Sequence, residues 1–234
     1  MTTPAIRIHY FTDVLCVWAY LAQIRLDELI KQFGDDVDVS YHFIPIFGCT
    51  ANRIGEGWKD KGGFDGFSKH THEVCEAYPY VHLHADVWKQ NAPRTSASCH
   101  FFLKSVQLLQ DKGIIPSDKQ EQYDGKSIFE ELVWRTRLAF FRDAKDVALL
   151  DVQLDIARSL SLPEDTIVEQ MHNGEAMAEL CRDIELRDEF KVEGSPSYIL
   201  NEGRQKLYGN VGYRIIEVNV LEILNKPKSE TSWC

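Results

Sequence analysis

The 234-residue chain is 44% hydrophobic and 26% charged, a balance that supports a packed core and excludes wholesale disorder. Lysine and arginine total 26 against 36 aspartate and glutamate, a net charge of -10 that argues against a protein tracking nucleic-acid phosphates. No apolar run approaches the roughly 18 residues needed to span a bilayer, and the opening MTTPAIRIHYFTDV lacks the basic start and apolar stretch of a secretory leader. The expected address is therefore cytoplasmic.

Ile6, Ile8 and Tyr10 alternate with Arg7, His9 and Phe11, the period of a short strand. After a turn at Thr12-Asp13, a helix is expected from about Leu15 to Phe33, stopped by Gly34. Val17, Tyr20, Leu21 and Ile24 share one face of it, and Leu26, Leu29, Ile30 and Phe33 nearly the opposite one, so it is buried on both sides or bent. Val37, Val39, Tyr41 and Phe43 mark a second strand, ending near Pro45 and running parallel to the first. Gly55 to Gly66 reads as a loop. Helical stripes follow at Cys99, Phe102, Leu103 and Val106, at Leu149, Val152, Ile156 and Leu160, and at Met177, Leu180, Cys181 and Ile184. Ser161 with Glu164 has the spacing of a capping box. Tyr198–Leu200 and Gln205–Tyr208 read as a hairpin, and Ile216, Val220, Ile223 and Leu224 line a last helix. The order is βαβ, a helical block, then ββα: an α/β chain with the thioredoxin-like arrangement and a large all-helical insertion. The expected division is 1–58 with 188–228 as the thioredoxin-like domain and 59–187 as the insertion.

The six cysteines, at 16, 49, 75, 99, 181 and 234, are too sparse for a disulfide scaffold, and no pair is spaced C-x-x-C. Cys16 falls where the first strand gives way to the first helix. Unpaired amides and the positive end of the helix dipole favour a thiolate there, and the thiolate is the nucleophile. A buried, inert cysteine is the alternative. Asp13 is either a helix cap or a carboxylate that opposes thiolate formation. Trp18 is expected to wall the thiol or to pack in the core. Cys49 lies just past the second strand as Cys16 lies past the first, so both loops belong to one sheet edge and Cys49 is a candidate resolving thiol. Cys75, Cys99 and Cys181 sit among apolar neighbours and read as packing residues, and Cys234 as a mobile terminus. His70, His72, Cys75, His82 and His84 match no named metal spacing, and no metal is expected.

FTDVLCVWAYL resembles the active-site segment of the DsbA-like thioredoxin-fold superfamily, D-x-x-C-P-W-C-Y, and the D-x-x-S-P-Y of kappa-class glutathione transferases and 2-hydroxychromene-2-carboxylate isomerases. VEGSPSYIL resembles the superfamily's G-x-P-[ST] element. NAPRTSASCHFF resembles its N-[ST]-x-x-A-H helix start more loosely, and the run from Ala144 to Leu180 the end of its helical insertion. The resemblance implies a cis bond before Pro196 and a Ser195 main chain that pairs with an extended peptide or with glutathione. It implies that Asn210, after Gly209, sits near a glutathione γ-glutamyl group, and that Asn91 and Arg94 open a helix facing the cleft. Val17 and Ala19 depart from the redox pattern, replacing the proline and the second cysteine. Without a resolving thiol, Cys16 is expected to work with glutathione as co-substrate, as a monothiol oxidoreductase on a protein disulfide or small electrophile. A glutathione-dependent isomerase or transferase, and a non-catalytic peptide binder using the Ser195-Pro196 groove, are the alternatives. A homodimer is plausible within this family.

Overall fold

The computed structural model describes residues 6–225, so Cys234 and positions 226–228 of the expected domain lie outside the described residues. Four strands form one sheet in the order β2-β1-β3-β4. β1 (Ile6–Thr12) pairs in parallel with β2 (Val37–Phe43) across α1 (Val17–Phe33). β3 (Ser197–Leu200) pairs antiparallel with both β1 and β4 (Gln205–Tyr208). Between β2 and β3 run α2 (Gly63–Cys75), α3 (Ala97–Asp111), α4 (Ile128–Phe141), α5 (Leu150–Ser159), α6 (Glu164–His172) and α7 (Glu175–Glu189), and α8 (Tyr213–Leu224) closes the described chain. Among the described residues no helix is long and apolar enough to cross a membrane.

Strand alternation sorts the two faces of the sheet. Ile8, Tyr10 and Tyr198 belong to the main core with α1 and α8, whereas Phe11, Ile44 and Ile199 pack with Leu186, Phe190 and Val192 at the end of α7. α1 is continuous and buried on most of its circumference, although Ile24 is exposed. It begins at Val17 rather than Leu15, because residues 13–16 form a turn closed by the Cys16 amide on the Asp13 carbonyl at 3.1 Å.

Other expectations also shift. The 55–66 segment is not plain loop: a π-turn spans Ala51–Glu56, a 3-10 turn Lys59–Lys61, and α2 starts at Gly63. His70 and His72 are therefore helical, and their rings do not align as they would on a strand. Ser161 ends α5 instead of capping α6. It takes φ +57, while the Leu162 amide reaches back to Ala157 O at 3.1 Å, a Schellman-type stop. The capping box lies at Ser127 and Glu130, where it starts α4. On α7, Met177 and Cys181 face solvent and Cys75 on α2 is only half-buried, leaving Cys99 as the packed cysteine of the three.

The inward residues of α7 are Ala176, Leu180 and Asp183, and Asp183 is the charged one. One carboxylate oxygen accepts from Phe43 N at 2.8 Å and lies 2.7 Å from Lys104 Nζ, and the other faces His42 Nδ1 at 2.8 Å. This buried group ties β2, α3 and α7 together. Removing one partner of a buried ion pair leaves the other uncompensated. Asp183→Ala is expected to cost about 3–5 kcal/mol of unfolding free energy, measured by urea denaturation.

His42 Nε2 lies 2.9 Å from His9 Nδ1. Burial, then the neighbouring His42 and Arg7, push His9 down to about 4. Unfolded, His9 takes a proton near the ordinary 6.5; folded, it does so only near 4, so between these values the unfolded chain binds more protons. The His9 contribution to stability is full above pH 6.5 and is lost as pH falls toward 4. Thermal melts of His9→Gln are expected to lose less stability across that window than the wild type.

Candidate active site

Cys16 is the N-cap residue of α1, in extended conformation at φ -81 and ψ 116. The amides of Ala19 and Trp18 at the helix start favour its thiolate, although the sulfur makes no cap hydrogen bond. The side chain is nevertheless only 7% exposed. Its thiol donates to the Ser195 carbonyl at 3.1 Å, a bond that only the protonated form can make. Burial is the largest influence and raises the thiol above the ordinary cysteine range, and nearby Asp13 adds to the rise against the pull of the two amides. The expected depressed pKa is therefore corrected: at this helix start desolvation outweighs the dipole.

The Ser195–Pro196 peptide bond is cis. Ser195 Oγ accepts from Asp13 N at 2.9 Å, and the Gly209 amide donates to Pro196 O at 2.8 Å, so both neighbouring segments hold the proline loop. A Cβ at Gly194 would stand 2.8 Å from the Tyr208 hydroxyl, so a side chain there requires the exposed Tyr208 ring to move aside.

Asp13 is fully buried and organises the segments around Cys16. Oδ1 accepts from Leu15 N at 2.9 Å, and Oδ2 accepts from Phe47 N at 2.9 Å and Ser96 Oγ at 2.7 Å. His100 Nε2 lies 3.5 Å from Oδ1 and 3.1 Å from the Val14 amide nitrogen. Burial alone would raise the carboxyl, but the His100 interaction and these amide bonds together hold it below the ordinary aspartate range. Asp13 is thus not the helix cap, since the Asx turn with Leu15 engages it two residues before the helix start.

The remaining expected residues divide. Trp18, two residues after Cys16, is 37% exposed and so not packed in the core. Asn210 Nδ2 donates to the Tyr78 hydroxyl at 2.7 Å, and its Oδ1 accepts from Arg25 Nη1. Asn91 and Arg94 do not open a helix: α3 starts at Ala97, and Asn91 is exposed with φ +50 and donates to Ala144 O at 3.3 Å. Cys49 is exposed and, like Cys16, unpaired. His100 and Ser96 were not expected in the site. Their signal was the i, i+4 spacing on one helix face, but a carboxylate 83 residues away from Ser96 gives it meaning.

Asp13→Asn removes the charge that opposes the Cys16 thiolate, at the cost of one backbone hydrogen bond, since its amide nitrogen must face the Leu15 or the Phe47 N–H. The pH profile of Cys16 alkylation by iodoacetamide is expected to move to lower pH, with the folded state checked by circular dichroism.

No protein-family model matches the sequence, and no curated protein matches it. In three dimensions the chain is similar to a putative protein disulfide isomerase from Nitrosomonas europaea, with TM-score 0.69, 16% identity, and coverage of 96% of this chain and 100% of that one. It is also similar to the cytosolic disulfide reductase DsbM from Pseudomonas aeruginosa with GSH, with TM-score 0.64, 18% identity, and coverage of 92% and 99%. A 2-hydroxychromene-2-carboxylate isomerase gives TM-score 0.62, 15% identity, and coverage of 94% and 97%. The chain therefore has the thioredoxin-like fold with a large helical insertion that these DsbA-like oxidoreductases and isomerases share.

Proposed function

We propose that the protein is a glutathione-coupled thiol oxidoreductase with Cys16 as its single nucleophile. The observation that carries this reading is the Cys16 thiol at the start of α1, 3.1 Å from the carbonyl that precedes cis-Pro196. Once the thiol loses its proton to solvent, the thiolate attacks one sulfur of a disulfide. A new Cys16–sulfur bond forms, the original disulfide bond breaks, and the other sulfur leaves as thiolate. Glutathione thiolate then attacks the mixed disulfide, takes over the substrate sulfur and releases Cys16. Ala19 stands one turn along the helix where a resolving cysteine would be needed, so the second attack comes from outside. Ser195 offers main chain to the bound partner. Trp18 walls the thiol, and Asn210, tied to Arg25 and Tyr78, and Asn91 border the cleft. Residues 59–187 form the insertion that shapes the substrate side. A cytoplasmic setting, where glutathione keeps thiols reduced, suits this chemistry, and a homodimer is compatible with it.

One observation favours a second reading. The thiol is held protonated by burial and donates a hydrogen bond, which suits a group that orients the glutathione sulfur for isomerase or transferase chemistry on a small electrophile. The similar disulfide reductase solved with GSH supports glutathione in either case.

Intact-mass analysis after incubation with oxidised glutathione separates the two. A single glutathione adduct on the wild type that disappears in Cys16→Ser is the expected result. No adduct on Cys16, with glutathione binding retained in Cys16→Ser, would transfer the assignment to the isomerase reading.

A further inference from the structure

α8 turns Ile216 and Val220 inward, where the helix packs on α1 and β1. The opposite side of a helix that covers a core is ordinarily polar. Here it carries Ile215, Val218 and Leu221, which are 48%, 56% and 38% exposed. At about 100° per residue, Val218 stands in the middle of that outward side, about 180° from the midpoint of Ile216 and Val220. Arg214 and Glu222, both exposed, lie about one turn before and one turn after it.

This face is nearly symmetric about Val218 in everything but the sign of its charges. Arg214 and Glu222 are about 12 Å apart along the axis, too far to pair within the helix. Neither enters an ion pair among the described residues. A second copy laid antiparallel, with a two-fold axis through Val218 and about 8–10 Å between helix axes, brings together positions equally far before and after 218. Arg214 then comes beside Glu222 and Ile215 beside Leu221, each twice, with Val218 against Val218. Pairing of one patch with itself is what a two-fold dimer requires. A parallel copy would set Arg214 against Arg214, and a purely apolar partner would leave both charges unmatched. The face therefore specifies a second copy of this chain.

We propose that the outward face of α8 is the surface through which two copies of the chain pair antiparallel about Val218. This assigns a contact to the homodimer named above and does not rest on the Cys16 chemistry. The twelve-residue helix is about 18 Å long, so the contact falls short of the roughly 800 Å² per partner of a standard interface. The pairing is accordingly reversible, with a dissociation constant on the order of 10–100 µM.

The test is sedimentation equilibrium of the full chain with a thiol reductant present, which removes disulfide-linked pairs formed through the exposed Cys49 and Cys181. Across about 5–500 µM the wild type is expected to pass from monomer to dimer. Val218→Asp, Arg214→Glu and Glu222→Arg are each expected to weaken pairing roughly tenfold or more, with the fold checked by circular dichroism. Combining Arg214→Glu with Glu222→Arg is expected to restore it to within about threefold of the wild type, because the reversed charges again meet across the axis. A wild type still monomeric at about 500 µM would overturn the proposal, and a dimer gained on deleting residues 226–234 would then show that the chain's own end covers the face. A dimer indifferent to Val218→Asp would overturn it by placing the contact elsewhere. A double reversal no better than either single one would overturn the antiparallel register.

Discussion

A buried carboxylate with no lysine or arginine against it among the described residues governs the candidate active site. Asp13 gathers the turn after β1, the loop after β2 and the start of α3 through the Leu15 and Phe47 amides, the Ser96 hydroxyl and His100. Its own amide fixes Ser195, so the proline loop joins the same arrangement. Burying such a charge is costly unless its lone pairs are filled, and here each oxygen is. The same charge lies close enough to Cys16 to oppose its ionisation. The group that gathers these loops therefore adds to the burial that keeps the Cys16 thiol protonated.

The helical insertion is held to the sheet by polar groups as well as by apolar packing. Asp183 and Lys104 join α7 and α3 to β2. On the other side of the sheet Arg137 of α4, fully buried, donates to Thr12 Oγ1 at 2.7 Å and to Gln23 of α1. Gln23 in turn donates to Asp27 at 2.8 Å, so the guanidinium reaches a carboxylate through an amide. Such bonds are directional, which pins the insertion to one seat on the core where apolar contact alone would allow sliding. A cleft between sheet and insertion keeps its dimensions for that reason.

Sequence periodicity made much of the fold legible. The stripe of α3 reflects burial of one face, whereas β3, buried at all four positions, was legible from its apolar run before a turn. The stripe on α7 misled for an instructive reason: Leu180 is buried as its hydrophobicity implies, but the next inward residue is Asp183, whose partners lie on β2 and α3. Ser161 misled in the same way, since whether a serine starts or ends a helix depends on the φ it adopts, here +57.

Cys16 was legible because its chemistry follows from local position, at the end of a strand and the start of a helix, and the G-S-P segment carried its own signature. The chain alone thus determined the element order, the single thiol at the helix start, and the absence of a second cysteine one turn later. Tertiary structure alone decided whether that thiol is ionised, because desolvation depends on what covers the sulfur, and Ser195, 179 residues distant, lies over it. It likewise decided that Asp13 serves the segments around Cys16 rather than the helix cap, since Phe47, Ser96 and His100 approach it only when the two halves of the sheet and the insertion close together.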